Sequence, residues 1–144
     1  MKTLNKMKLS FPSKSCNEAF ARTAVSAFIM NLDPTVNELS DLKTAVSEAV
    51  TNCIVHGYRR QDGTIYISGA IREDNRVIIK VRDSGCGIAD VEQAMKPLFT
   101  TAADEERAGL GFAVMQSFCD RVKVRSVPGK GTTVTLEKQI GADD

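Results

Sequence analysis

The chain has 144 residues, of which 42% are hydrophobic and 26% are charged, and its formal net charge is +1. This length suits one domain with a buried core and is too short for two, so we expect a single domain over residues 1–144. A near-neutral chain without a long basic run gives no electrostatic case for binding nucleic acid or an anionic membrane. Because the sequence has no apolar stretch of membrane length and no segment that resembles a signal peptide, we expect a cytoplasmic protein.

The first half of the chain predicts one strand and two helices. Residues 7–11 alternate between apolar and polar side chains, as an edge strand does. A helix is expected over about 15–30, and a second one over about 37–56, ending at Gly57. Because helical residues step by ~100°, Glu48 and Asn52 are predicted to lie at the margin of the apolar stripe of the second helix.

The second half predicts mainly strands. Four runs rich in Ile, Val, Thr and Tyr are typical of strands, and these are residues 64–71, 76–81, 122–127 and 132–137. A helical turn near 90–95 and a helix over 111–120 are expected between them, joined by residues 97–108, a polar segment of low periodicity that we predict to be a mobile lid. Early helices and later antiparallel strands predict an α/β (α+β) two-layer sandwich, with helices on one face of a mixed, mostly antiparallel sheet.

Glu48 and Asn52 are four residues apart on the second predicted helix, so their side chains can converge on one ligand. The carboxylate can accept a proton, and the neutral amide oxygen can bind a hard cation without adding negative charge. This division of roles suits phosphoryl transfer from a magnesium nucleotide. The same spacing also occurs by chance on solvated helix faces, so the pair alone does not define a site.

Three glycine-containing segments follow the helix. Residues 83–87 place a carboxylate at a strand end and then two glycines, which suits recognition of a flat polar ring but also suits a simple turn. Residues 109–111 precede the predicted helix, where backbone N–H groups favour phosphate. Residues 129–133 are typical of a hairpin turn. The order and spacing of the segments carry more weight than any one of them.

Together these segments resemble the nucleotide-binding boxes of the GHKL superfamily, which unites gyrase, histidine kinases and related ATP-dependent proteins. The resemblance covers nearly the whole chain and implies a Bergerat-type ATP-binding sandwich. Within the superfamily, the chain looks most like the anti-sigma factor family of spore-forming bacteria. The segments that carry this closer resemblance are residues 20–22, 31–35, 47–52, 54–58, 97–101 and 106–112.

The resemblance also implies roles for particular residues. Glu48 matches the general base and Arg107 an arginine that meets the terminal phosphate, so both are expected to be catalytic. Asn52 matches the Mg²⁺ ligand, and Arg22 matches a partner-binding arginine. The residues expected to hold ATP or ADP are Asn52, Asp83, Gly85, Gly87, Thr100, Thr101, Gly109, Gly111 and Thr132, with Asp83 reading the adenine amino group.

The implied function is that of a serine protein kinase that also sequesters a transcription factor. The partners would be the sporulation sigma factor F and an anti-anti-sigma factor that is phosphorylated on serine, and a homodimer is implied, with residues 7–11 as an edge suited to pairing. Open alternatives are a related switch kinase for a stress-response sigma factor and a nucleotide-dependent binding module without kinase activity. A histidine kinase also needs a phosphoacceptor histidine on a dimerising helical hairpin. That alternative is disfavoured because the single histidine, His56, lies inside the nucleotide motif.

Four scattered cysteines and one histidine do not predict a zinc site. They are Cys16, Cys53, Cys86 and Cys119, without a C-x-x-C pair. Magnesium held by Asn52 is therefore the one metal that we expect.

Overall fold

The computed structural model describes the backbone of residues 2–95 and 103–141, and the side chains of residues 2–95 and 111–141. Within these residues one strand is followed by two helices, two strands, two helices and two strands, and no described helix is long and apolar enough to cross a membrane. The elements are β1 (Thr3–Pro12), α1 (Asn17–Ile29), α2 (Val36–Asn52), β2 (Thr64–Arg72), β3 (Arg76–Asp83), α3 (Val91–Met95), α4 (Ala103–Phe118), β4 (Arg121–Val127) and β5 (Gly131–Gln139).

The strands form one sheet in the order β1-β2-β3-β5-β4, and each pairing in the described residues is antiparallel. The two-layer α+β sandwich is therefore confirmed. The sheet was expected to be mixed and mostly antiparallel, and its described pairings are antiparallel throughout. Short hairpin connections join β2 to β3 and β4 to β5, and they reverse the chain direction each time. β1 is an edge strand, as predicted.

The core lies between the helices and one face of the sheet. Alternate residues of each strand point towards α1, α2 and α4, and the other face remains outside this core. Among the fully buried side chains are Val25, Ile29, Leu42, Val46, Ile67, Ile79, Met115 and Leu136. The site described below lies at one end of this helical layer, where α2 ends.

Both ends of α2 have specific local structure. At its start, Thr35 and Glu38 form a capping box: the Thr35 hydroxyl accepts from the Glu38 N–H, and the Glu38 carboxylate accepts from the Thr35 N–H at 2.8 Å. At its end, the predicted helix to residue 56 is only partly α-helical, because residues Cys53–Gly57 form a π-helical turn. Such wide turns occur frequently at functional sites.

The last helix begins earlier than expected. α4 starts at Ala103, although the sequence predicted a helix from 111 and a lid over 97–108. Residues 103–108 are helix formers with acidic residues near the start, and together they outweigh the cost of two glycines, about 1 kcal/mol each. Residues 97–102 of the predicted lid lie outside the described residues. The movement of the lid stays a prediction.

Candidate nucleotide site

A cavity of about 290 Å³ opens where α2 ends, between the loop after β3, α3, α4 and β5. Four residues predicted from the sequence line it, and these are Asn52, Asp83, Gly87 and Thr132. Apolar side chains, among them Ile88 and Phe112, form much of the remaining wall. A small cavity with an apolar wall and a few polar groups is typical of a small-molecule site.

Asp83 is the buried carboxylate of this cavity and is only 5% exposed. Its Oδ1 accepts a hydrogen bond from the Gly85 N–H at 2.9 Å, and the Cys53 thiol and the Thr132 N–H also donate to the carboxylate. Burial raises the pKa of Asp83 above its ordinary value, and these hydrogen bonds offset part of that rise. The carboxylate is thus a fixed acceptor in an apolar wall.

The backbone of the π-helical turn packs directly against the loop that follows Asp83. The Cys86 N–H donates to the Gly57 carbonyl at 2.9 Å, and a Cβ at Gly85 would collide with that same carbonyl oxygen. Gly87 has a φ of +76°, and a Cβ there would collide with the Val127 carbonyl oxygen. Gly85 and Gly87 therefore let three backbone segments meet at the cavity.

Tyr58 holds the same loop from outside the cavity, a role that the sequence did not predict. Its hydroxyl accepts from the Ser84 N–H at 2.7 Å and donates to the Thr64 carbonyl at 2.5 Å. Its ring fills the space beside Gly63, where a Cβ would approach to 2.5 Å. The one sequence signal for this role was the position of an aromatic residue directly after Gly57. An aromatic residue at such a position is equally consistent with ordinary core packing.

Ser126 and Thr132 form a small hydroxyl pair at the wall of the cavity. Their hydroxyl oxygens lie 2.8 Å apart, and Ser126 Oγ also accepts from the Ile88 N–H at 2.7 Å. Thr132 faces Asp83 across the β3–β5 pairing. The sequence predicted Thr132 but not Ser126, because a serine inside a strand carries no distinctive signal.

Asn52 lies where α2 and α4 approach each other. A Cβ at Gly111 would lie 2.7 Å from Asn52 Nδ2, so only glycine allows this approach. Gly111 lies inside α4, and so does the backbone of Gly109. The expectation that these glycines precede a helix and offer its first N–H groups to phosphate is therefore wrong, because the helix begins at Ala103.

The donor set around Asn52 fits magnesium bound together with a nucleotide. The described residues contain no cluster of three or more His, Cys, Asp or Glu side chains that would hold a metal ion alone. Mg²⁺ usually keeps several waters and takes one or two protein ligands plus substrate phosphates. One amide oxygen in the cavity wall fits that ligand pattern.

Glu48 is half-buried one helical turn before Asn52 and lies outside the lining of the cavity. Burial raises the pKa of Glu48, and the nearby carboxylate of Glu18 in α1 raises it further. Glu18 is itself held by the Thr51 hydroxyl, which donates to Glu18 Oε1 at 3.1 Å. The two carboxylates therefore repel each other electrostatically across the boundary between α1 and α2.

Arg22 also belongs to this boundary between α1 and α2. Its Nη1 donates to Ser47 Oγ at 2.9 Å, and both side chains are partly buried. Ser47 directly precedes Glu48 in the chain. The structure thus places the predicted partner-binding arginine beside the predicted catalytic turn.

Four predicted site residues fall where side chains are not described. Thr100 and Thr101 lie outside the described residues, and only the backbone of Arg107 and Gly109 is described, within α4. The six other predicted pocket residues converge on the cavity or its immediate frame, and these are Asn52, Asp83, Gly85, Gly87, Gly111 and Thr132.

Comparison with protein families places this geometry in a known class. Residues 11–138 match the family described as the histidine kinase-like ATPase domain. Two solved structures have a similar fold. The RsbU and RsbW domains of Rv1364c from Mycobacterium tuberculosis match 95% of this chain and 33% of that one, with a TM-score of 0.69 and 18% identity. A histidine kinase domain from Erythrobacter litoralis matches 85% and 60%, with a TM-score of 0.57 and 16% identity. The fold and cavity define an ATPase domain of the histidine kinase-like class.

Curated relatives narrow the class further. A protein from Thermoanaerobacter sp. (strain X514) is 57% identical over 143 residues, covering 99% of both chains. One from Caldanaerobacter subterraneus subsp. tengcongensis is 59% identical over 137 residues, covering 95% of both. One from Clostridium beijerinckii is 54% identical over 137 residues, covering 94% of this chain and 95% of that one. All three are named anti-sigma F factor, and the chain belongs to that family.

Proposed function

We propose that this protein is an ATP-dependent serine kinase as well as an anti-sigma factor. It binds the sporulation sigma factor F and keeps it from RNA polymerase, and it phosphorylates the anti-anti-sigma factor on serine, which inactivates that partner. One observation carries the kinase activity: a single cavity has the buried carboxylate of Asp83 at its closed end, and Asn52 in its wall with Glu48 one turn away. The names of the relatives support the choice of sigma factor.

Adenine binds at the closed end. The Asp83 carboxylate accepts a hydrogen bond from the exocyclic amino group, while Ile88 and Phe112 contact the faces and edge of the ring. A guanine base presents a carbonyl oxygen at the same position, and this oxygen faces the carboxylate without a proton between them. The cavity therefore favours adenine, since a buried acceptor without a donor costs ~1–3 kcal/mol.

The phosphates extend from the cavity towards Asn52. When Mg²⁺ is bound there, it neutralises phosphate charge and fixes the orientation of the terminal phosphoryl group. Asn52 holds its amide at the required place because Gly111 leaves room for it. Arg107 precedes Gly111 in the chain, and its guanidinium is proposed to contact the transferred phosphoryl group.

The partner serine reaches the phosphate at the exposed mouth of the site. Its hydroxyl oxygen attacks the γ-phosphorus, the bond to the β–γ bridging oxygen breaks, ADP leaves, and the serine proton passes to Glu48. An ordinary glutamate has a pKa of ~4.3 and is a weak base, so the burial that raises the pKa of Glu48 improves it for this role. Arg22, bonded to the adjacent Ser47, contributes to the surface on which the partner docks.

The protein is proposed to act in the cytoplasm as a homodimer. β1 is the edge strand of the sheet, and its outer edge is available to a second copy. Dimerisation through this edge would leave the nucleotide cavity open, because the cavity is built from α2, β3, β5 and α4. Sedimentation of the purified protein over a concentration series tests this proposal.

The kinase proposal is tested by transfer of labelled γ-phosphate from magnesium ATP to purified anti-anti-sigma factor. We expect serine labelling by the wild type, and a loss of ~100-fold or more in Glu48→Gln. The same variant should bind ADP and sigma factor F as the wild type does. Asn52→Ala should lose both transfer and the dependence of nucleotide affinity on magnesium.

The matched control is Glu73→Gln, which makes the same chemical change in the turn between β2 and β3, away from the cavity. Transfer by Glu48→Gln at the wild-type rate would remove Glu48 from the mechanism. If the wild type binds ATP and sigma factor F but never labels the serine, the protein is a nucleotide-dependent binding module. If it labels only the anti-anti-sigma factor of a stress-response pathway, the chemistry stands and the partner is wrong.

A further inference from the structure

The face of the sheet that points away from the helices is rich in cations. Residues paired across antiparallel strands point to the same face, so the strand register defines rows of neighbours. One row crosses all five strands: Lys8, Ser68, Lys80, Thr135 and Lys123. The next is Ser10, Tyr66, Arg82, Thr133 and Arg125. A third is Lys6, Ala70, Ile78, Glu137 and Arg121. We call these three rows the open sheet face.

The open sheet face is positively charged although the chain is almost neutral, with a formal net charge of +1. Glu137 is the one carboxylate in the three rows. Arg76 lies on the same face, and its Nη1 is 4.0 Å from Glu137 Oε1. Positive charge is therefore concentrated on one side of the molecule. The cations of the three rows are Lys6, Lys8, Lys80, Arg82, Arg121, Lys123 and Arg125.

This surface is grooved. Two shallow depressions, of about 420 Å³ and about 190 Å³, lie on it, and Lys8 and Lys80 line both. Arg82 lines the larger one and stacks over the Tyr66 ring, with its guanidinium carbon 4.1 Å from the ring centroid. Tyr66 is 38% exposed, so the stacked pair is accessible to a ligand. The grooves thus present fixed cations together with one aromatic ring.

The chemistry of the first two rows favours phosphates over carboxylates of a protein partner. These rows consist of cations and hydroxyl-bearing side chains, and both kinds of side chain contact phosphate and sugar in nucleic-acid complexes. Neither row contains an aliphatic side chain. The cores of protein interfaces depend on apolar and aromatic anchor residues. In these two rows, Tyr66 is the one side chain that could act as such an anchor. A second copy of this face is excluded by repulsion between like charges.

The spacing of the cations suits a chain of phosphates. Cations two residues apart on one strand, such as Lys80 and Arg82, are separated by about 7 Å, and cations two strands apart by about 10 Å. Several neighbouring phosphates of one strand can therefore be contacted together. We propose that the open sheet face binds a single-stranded nucleic acid through its phosphate backbone, with bases stacking at the Tyr66–Arg82 pair.

The amino-acid sequence offered no case for nucleic acid because its basic residues do not form a run. They occur at every second position of strands that are far apart in the chain, and only the sheet register brings them together. This site lies on the opposite side of the sheet from the helical layer that holds the cavity. Binding here is independent of the kinase proposal, and each can fail without the other.

The test is the fluorescence anisotropy of a labelled single-stranded oligonucleotide of mixed sequence, titrated with the full-length protein over a series of salt concentrations. Saturating magnesium ADP is present, so that the oligonucleotide cannot occupy the adenine cavity. We expect binding at low salt that weakens as salt rises, since each phosphate contact contributes a slope of about −0.7 to log K against log salt.

The informative variant is the double substitution Lys80→Gln with Lys123→Gln. It removes two exposed cations from the first row of the open sheet face. We expect its affinity to fall about tenfold and its salt slope to flatten by about 0.7 for each lysine. The matched control, Lys14→Gln with Lys130→Gln, removes two exposed cations from turns outside the open sheet face and should retain the wild-type affinity and slope.

Four outcomes would overturn the proposal. These are no binding at low salt, equal losses in the two double variants, tighter binding of a duplex of the same sequence, and displacement of the oligonucleotide by poly-glutamate at equal charge concentration. The third would assign the face to double-stranded nucleic acid, and the fourth to an acidic protein segment.

Discussion

The two ends of the candidate nucleotide site are built differently. At the closed end, Asp83 is only 5% exposed and is held by backbone groups of Gly85 and Thr132. At the mouth, Glu48 and Asn52 are half-buried side chains on one face of α2. The end proposed to recognise the base is thus held by backbone segments, whereas the proposed chemistry depends on side chains at the margin of the core.

This difference predicts how each end responds to change. The closed end is formed by closely packed backbone segments and leaves no room for added atoms. A substitution that adds a side chain there should therefore abolish nucleotide binding. A side-chain-built end can lose its chemistry while the fold and nucleotide binding persist. Substitutions at the two ends should therefore separate affinity from turnover, and the expected effects on binding decrease from the closed end to the mouth.

The largest effect is expected from Gly85→Ala. The new Cβ would collide with the Gly57 carbonyl oxygen, so one of the two backbone segments must move away. We expect the free energy of unfolding to fall by about 1–3 kcal/mol and ADP binding to drop below detection. Thermal denaturation and isothermal titration with magnesium ADP measure the two quantities.

The control for Gly85→Ala is Gly129→Ala in the hairpin turn. Gly129 has a φ of +80°, but beyond its chain neighbours no atom lies within 4 Å of the position that a Cβ would take, so alanine there adds backbone strain without a collision. Its ADP affinity should stay within about twofold of the wild type while its stability falls by about 1–2 kcal/mol. Normal ADP binding by Gly85→Ala would show that the closed end is not fixed by its backbone.

Asp83→Asn should weaken ATP binding by about 10- to 100-fold, because the amide is a poorer acceptor for the adenine amino group than the carboxylate. The same change should also alter how stability depends on pH. Burial raises the pKa of Asp83 above its ordinary value of 3.8, so the ionised carboxylate disfavours the folded state. The stability that Asp83 contributes is complete below pH 3.8 and is lost as pH rises through the folded-state pKa.

The amide introduced by Asp83→Asn does not titrate, so the stability of this variant relative to the wild type should increase from about pH 4 upwards and level off above the folded-state pKa. Urea denaturation of the nucleotide-free proteins at a series of pH values measures this difference. A stability difference that is constant over this range would mean that the Asp83 carboxylate is not penalised by burial.

Much of this architecture was predictable because hydrophobic periodicity is local. The Ile-, Val- and Tyr-rich runs 64–71 and 76–81 predicted β2 and β3, and the apolar stripe of α2 placed Asn52 at its margin. The start of α4 was misplaced because polar residues between 103 and 108 resemble a loop in composition, although they are strong helix formers.

Contacts between distant segments were not predictable from local patterns. Tyr58 bonds to the loop after Asp83, and Ser126 bonds to the segment after Gly87, yet no local pattern around either residue indicates these long-range contacts. The same limit applies to the open sheet face, whose charge depends on strand register. Composition reports how many cations a chain has, whereas the fold decides where they gather.

The smallest predicted effect concerns the mouth of the site and the substitution Glu18→Gln. The negative charge of Glu18 raises the pKa of Glu48, after the larger contribution of burial. Neutralising Glu18 should lower the pKa of Glu48, so its base form persists to lower pH. The acid limb of the kcat/KM profile for serine phosphorylation should then move to lower pH, and the movement should be small because solvent and salt screen charges at a partly exposed boundary.

Thr51→Val separates the charge of Glu18 from its hydrogen bond. This variant removes the hydroxyl that donates to Glu18 Oε1 but leaves both carboxylates in place, so its acid limb should coincide with that of the wild type. If Thr51→Val moved the limb as far as Glu18→Gln does, the geometry of the α1–α2 boundary would control Glu48 and the charge of Glu18 would not. A limb that moved to higher pH in Glu18→Gln would contradict the assignment of Glu48 as the base, because loss of a neighbouring negative charge can only favour its ionised form.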